Sequence, residues 1–246
     1  MERRKRKYRS SLAFVEVGFR ACLLNANDLV LASQTLLSAN LHAPALSLSV
    51  LALEELGKLH AIDGLLFARA DDHKSAAFDK SGKSHQTKLE KFLRIPMFLW
   101  AVALVLAVQD PAPAKANKFN EAIAIALQDL RKTLDRLTAA LPNRSLLGLD
   151  RMKQAGFYCE ISNGNFKAPR EAVEPAIASE ACHLAWRAAT TAEFLFKDGN
   201  MDRYLGMARS IRGKLSDSEH RNTEEFAHRI INHAFNEDEQ DLPRDF

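Results

Sequence analysis

An all-α fold is predicted by three observations. Ala and Leu supply 71 of the 246 residues, whereas Val, Ile and Thr together supply 24. Ala and Leu lose little on entering a helix and β-branched residues favour strands. Gly and Pro number only 10 and 8, so few residues are available for tight turns. Finally, apolar residues recur at alternating spacings of three and four along most of the chain, the signature of helices with one buried face. These observations exclude an all-β fold, and the 47% apolar and 26% charged composition excludes disorder over most of the length.

The elements follow in order. Arg3, Arg4, Lys5, Arg6, Lys7 and Arg9 form a basic arm, and without the first nine residues the charge of +3 becomes −2. Such an arm is suited to phosphates or acidic partners, with solvation alone as the plain alternative. No apolar stretch follows it directly, so it is not read as a secretory signal. A first helix is expected from about Ser10 to Asn40, with Phe14, Val17, Ala21, Leu24, Asp28, Leu31 and Thr35 on one face. Pro44 suits the first turn of a second helix reaching about Ala70. Residues Asp71 to Ser84 read as a connection, followed by a short helix with His85, Lys88, Leu89 and Phe92. The run from Ile95 to Val108 has 14 uncharged residues, too short for a membrane crossing of about 20, and is read as a buried helix.

A loop is expected around Pro111 and Pro113, then an amphipathic helix from Asn120 to Ala140. Between about 141 and 168 Pro142, Gly148, Gly156 and Gly164 break the pattern, which predicts an irregular insertion, with Gly156 to Ile161 extended. Helices resume at about Pro169 to Lys197, Met201 to Lys214 and Ser216 to Phe235; Ser216 and Glu219 have the spacing of a capping box. An acidic tail closes the chain. The whole reads as an up-and-down bundle in one domain, residues 10–236, between arm and tail.

Candidate chemistry concentrates in the second helix. Leu48, Leu51, Ala52, Glu55, Leu59, Ile62 and Leu66 form one stripe, and Glu55 is its only charged member. A carboxylate there is at least partly buried and requires a cation or several donors from another helix. Glu54 and Lys58 are i,i+4 neighbours. A helix-packing ion network is the bland explanation of all three, because structural networks perturb charges as active sites do. Gly57 and Gly64 on another side leave room for a neighbouring helix. Cys22, Cys159 and Cys182 are odd in number and widely spaced, which fits a reducing cytoplasm without disulfides, and no Cys/His pair has zinc spacing. Trp100 and Trp186 are read as core residues.

Three ordered blocks resemble the AbiV-type abortive-infection proteins, grouped with the helical HEPN nucleotide-binding and ribonuclease superfamily. They are Asn25-Ala-Asn-Asp28 with Ala45 to Lys58, ending Glu-Glu-Leu-Gly-Lys; His85-Gln-Thr-Lys88; and Arg151-Met-Lys-Gln-Ala-Gly-Phe-Tyr-Cys-Glu160 with Pro169 beyond. Phe157, Cys159 and Glu160 stand where the family more often has Leu, Val and Asp. The resemblance implies a HEPN-like bundle and a bacterial defence role, arresting the phage-infected cell by acting on RNA or the translation machinery. It also implies a homodimer and leaves room for a phage-encoded activator; no cofactor and no membrane partner are implied.

Two residue sets compete for the chemistry. Arg221 and His228 match the Arg, four to six residues, His pattern of HEPN ribonucleases and share a helical face. The family blocks instead bring together His85, Lys88, Arg151, Lys153 and Tyr158 with Glu54, Glu55 and Lys58. Metal-independent cleavage needs a base for the ribose 2′-OH, an acid for the leaving 5′-oxygen and a cation on the phosphorus. His and Arg fill those roles, and Lys153 with the basic arm would hold RNA. A non-enzymatic bundle that binds a phage or host protein, and a nucleotide-binding module, are the rival functions.

Overall fold

The computed structural model describes residues 12–67, 95–108, 113–141, 148–162, 165–197 and 199–214. The basic arm, the segment carrying His85 and Lys88, the helix expected to carry Arg221 and His228, and the acidic tail lie outside these described residues. In chain order the elements are α1 (Leu12–Ser38), α2 (His42–Phe67), α3 (Ile95–Val108), α4 (Pro113–Ala140), α5 (Gly148–Phe157), β1 (Glu160–Ser162), β2 (Asn165–Lys167), α6 (Pro169–Ala172), α7 (Pro175–Phe196) and α8 (Asn200–Lys214). The fold is all-α, and among the described residues the strands form one antiparallel hairpin in which Ile161 pairs with Phe166.

The turn from α1 to α2 is built by a Schellman motif. Asn40 takes the left-handed conformation at φ 59°. Leu41 N donates to Leu36 O at 2.9 Å and Asn40 N to Leu37 O at 3.0 Å, so the last carbonyls of α1 are satisfied before Pro44 enters the first turn of α2. The two helices therefore pack antiparallel.

α2 is the hub, because α1, α3, α5, α7 and α8 all pack on it. Many of its residues are correspondingly apolar: Leu46, Val50, Ala52, Leu53, Leu56, Leu59 and Ile62 are all buried. Ser49 Oγ lies 3.0 Å from Cys182 Sγ of α7, and burial pushes that thiol above its ordinary pKa. An aromatic cluster closes one end of the bundle, with Phe19 of α1 against Phe98 of α3 and Phe196 of α7, and Phe196 against Tyr204 of α8. Arg203 of α8 donates to Leu106 O at 3.0 Å, capping the open carbonyl end of α3. On the outside, α4 is held to α7 by Arg136 with Glu180, Arg187 with Asp129, and Phe119 stacked on Phe194.

Several expectations are corrected. The α1 stripe shares a face as its spacing requires, but that face points outward: Val17, Leu24 and Leu31 are exposed, while Val15, Phe19, Cys22, Ala26 and Val30 pack inward. α1 is apolar on two sides, and the inward one combines Phe19 with the small Ala26 and Ser33, which lets α2 approach. α4 begins at Pro113, seven residues before Asn120, because proline suits a first helical turn. The insertion is not irregular throughout: it contains α5 and the hairpin, so Gly156 is helical and only Glu160 onward is extended. Pro175 divides the helix expected from Pro169. Trp186 is partly exposed, stacked on His183 with Arg187 beside its ring, and is not core. Among the described residues no helix is long and apolar enough to cross a membrane.

Candidate functional site

The described site residues fall on two neighbouring pieces, the middle of α2 and the stretch formed by α5 and the residue that follows it, Tyr158. α5 is amphipathic in its own right. Leu149, Lys153, Ala155 and Gly156 turn inward, and Arg151, Gln154 and Phe157 turn outward. Its docking onto α2 is a backbone matter. Ser47 Oγ lies 2.8 Å from Lys153 O and 3.1 Å from Ala43 O, and donates to one or shares between them. A Cβ on Gly156 would stand 2.3 Å from Ser47 Oγ and 2.6 Å from Ala43 O, so only glycine lets the end of α5 rest there.

That close approach carries Lys153 into the interface. Its ammonium lies 2.5 Å from Glu54 Oε1 and 2.7 Å from Asp150 Oδ1. Glu54 is 2% and Lys153 4% exposed, so this pair is sealed from water. The partner that Glu54 was expected to have, Lys58, instead binds Glu55 at 2.5 Å, partly exposed. Glu55 is partly buried, as its stripe predicts, but its cation comes from its own helix and not from another. Cys22 of α1 faces this second pair; burial, then the Glu55 charge, pushes its thiol up to about 11, against the opposing pull of Lys58. Both buried thiols are thereby held protonated and unreactive.

Arg151 and Tyr158 stand on the other side of α5 from the sealed pair, both exposed. Tyr158 meets Phe157 edge-on at 6.4 Å, and the hairpin adds exposed Phe166 and Lys167. Arg170 of α6 is exposed as well. The structure thus separates the family-block residues into an inner set, Glu54 and Lys153, and an outer set, Arg151 and Tyr158. Lys153 points its ammonium into the interface between α2 and α5, where it is 4% exposed. His85, Lys88, Arg221 and His228 lie outside the described residues, so their distances to either set are not part of this geometry.

A family model described as AbiV matches residues 14–190, well over half of the chain. The chain belongs to the AbiV family of HEPN proteins. No match was found among curated proteins or among solved structures. The matched span takes in α1, α2, α5 and the hairpin, and so includes both the sealed Glu54–Lys153 pair and the exposed Arg151–Tyr158 face of this AbiV protein. Membership in the family points to a function of the abortive-infection, HEPN type.

Three contributors to this region were missed from sequence. Asp150 sits three residues before Lys153, a helical neighbour spacing that would have found it. Ser47 and Gly156 act through backbone proximity, for which a linear sequence gives no signal. A fourth group lies further along α2: Asp63 accepts a short hydrogen bond from the Tyr204 hydroxyl of α8. Burial pushes the Asp63 carboxyl up to about 7, against the opposing effect of that hydrogen bond. Among the described residues no group of three His, Cys, Asp or Glu gathers as a metal-ligand set.

Proposed function

We propose that this AbiV protein is a bacterial anti-phage effector of the cytoplasm that arrests the infected cell by acting on RNA, as a metal-independent endoribonuclease. The family match supports the defence role. The observation that supports the RNA reading is the exposure, on the consecutive elements from α5 to α6, of the cations Arg151, Lys167 and Arg170 together with the rings of Phe157, Tyr158 and Phe166. Cations bind the phosphate backbone and exposed rings stack on unpaired bases.

In this reading Glu54, Lys153 and Asp150 hold α5 in place and take no part in the chemistry. Arg151 binds the scissile phosphate and Tyr158 positions the neighbouring base or sugar. The proton transfers fall to His228 or His85, with Arg221 or Lys88 as the second cation. The ribose 2′-oxygen attacks phosphorus as a base takes its proton, and the bond to the 5′-oxygen breaks as an acid protonates that oxygen. The products are a 2′,3′-cyclic phosphate and a 5′-hydroxyl. The basic arm, Arg3 to Arg9, adds affinity that depends on salt. A phage-encoded protein is the proposed activator and the working form is a homodimer.

A second reading is favoured by the sealing of the Glu54–Lys153 pair: a non-enzymatic bundle that binds a phage or host protein. Incubating the purified chain with total RNA separates the two, with and without extract of phage-infected cells. Arg151→Ala and Tyr158→Phe are expected to fold normally and to lose at least about tenfold of the cleavage rate, the scale of one lost phosphate or positioning contact. RNA left intact by every form under both conditions supports the binding protein instead.

A further inference from the structure

The outward face of α1 is too apolar and too regular for a free surface. Val17, Leu24 and Leu31, seven residues apart, are 67%, 66% and 66% exposed. Ala21, Asn25, Ala32 and Thr35 are exposed between and beside them. From Val17 to Leu31 this stripe runs about 21 Å along the helix. Isolated exposed aliphatics are common, but aliphatics in a row at heptad spacing are what a second helix packs against.

Charge selects the second helix. From Val17 to Thr35 the exposed residues include two charged ones, Arg20 and Asp28, each four positions from Leu24 and on opposite sides of it. If two copies of α1 packed in parallel, Arg20 would meet Arg20 and Asp28 would meet Asp28. Antiparallel packing about a two-fold axis at Leu24 sets Leu24 against Leu24, Val17 against Leu31, and Arg20 against Asp28. The stripe is thus complementary to its own inverse, the requirement of an isologous interface. Within one chain Arg20 pairs with Glu16 at 3.0 Å, but this pair is solvent-exposed and easily rearranged.

We infer that the Val17, Leu24 and Leu31 face of α1 is the seam of a homodimer, in which two copies of the helix cross antiparallel at Leu24. The inference gives the proposed dimer a surface, yet it stands apart from any activity: a chain inert toward RNA would still pair.

Sedimentation equilibrium of the full chain at micromolar concentration tests it. The wild type is expected to be a dimer, and Leu24→Arg to weaken association by about tenfold or more with unchanged circular dichroism. Arg20→Asp and Asp28→Arg each weaken the dimer alone and restore it when combined. In a Cys159→Ala background, which removes the exposed native thiol, Leu24→Cys forms a disulfide between chains on mild oxidation. A monomeric wild type overturns the inference, as would be seen if residues 215–246 of the same chain covered the stripe. A dimer indifferent to Leu24→Arg, with no cross-link through position 24, overturns it equally.

Discussion

Glu54 and Glu55 are adjacent on α2 and have different tasks because one step along a helix turns a side chain by about 100°. Glu54 is sealed against Lys153, whereas Glu55 meets Lys58 near the surface. Glu54→Gln removes the buried partner of Lys153 but leaves it the partly exposed Asp150, so the variant is expected to cost about 1–3 kcal/mol in urea denaturation. Glu54→Gln combined with Lys153→Met removes both charges of the pair and should recover part of that loss, with the partly exposed Asp150 left to solvent. Glu55→Gln should cost no more than about 1 kcal/mol. Apolar spacing singles out Glu55 because a stripe ranks positions by their apolar neighbours along one face. α2 is covered on nearly all sides, and on such a helix the face with the densest apolar stripe need not be the deepest. Asp63 makes a prediction in pH. Its folded pKa near 7 exceeds that of an unfolded carboxyl, so the folded state holds a proton the unfolded state has lost. The contribution of this group is therefore greatest at low pH and declines as pH rises from about 4 to 7. Asp63→Asn should flatten that part of the melting-temperature profile and match or exceed the wild type at pH 8.

At the scale of elements, the helices legible in the sequence are those with a long uninterrupted pattern. α1, α2, α3 and α8 lie within a few residues of their expected bounds, and Asn40 and Pro44 mark the first turn. What the sequence concealed was how elements lie against one another. Gly156 looks like a helix breaker in a linear reading, yet it is the residue that allows α5 to be a helix packed on α2. Gly156→Ala keeps or raises helix propensity and should nevertheless destabilise the fold by about 1–3 kcal/mol, since the added methyl meets backbone. Asn40→Ala at the α1–α2 turn should cost about 1 kcal/mol from its left-handed conformation alone, measured in the same denaturation series. The periodicity of α1 marks a face, but periodicity does not distinguish a face that meets the core from one that stays exposed.

For the whole molecule, the candidate site was legible as a set of residues and not as an arrangement. The family blocks identified Glu54, Lys153, Arg151 and Tyr158 together. The structure divides them across α5, with the charged pair inside and the guanidinium and phenol outside. Under the proposed function, the inner pair serves stability and the outer face RNA contact, so stability and activity are expected to be lost separately. The most direct test is a cleavage assay on total RNA in the presence of EDTA, with the 3′ ends of the fragments identified, comparing wild type, Arg151→Ala and the Glu54→Gln, Lys153→Met double variant at a temperature where all are folded. The wild type and the double variant are expected to give 2′,3′-cyclic phosphate ends, and Arg151→Ala little or no product. Loss of cleavage in the double variant with full activity in Arg151→Ala would contradict this expectation.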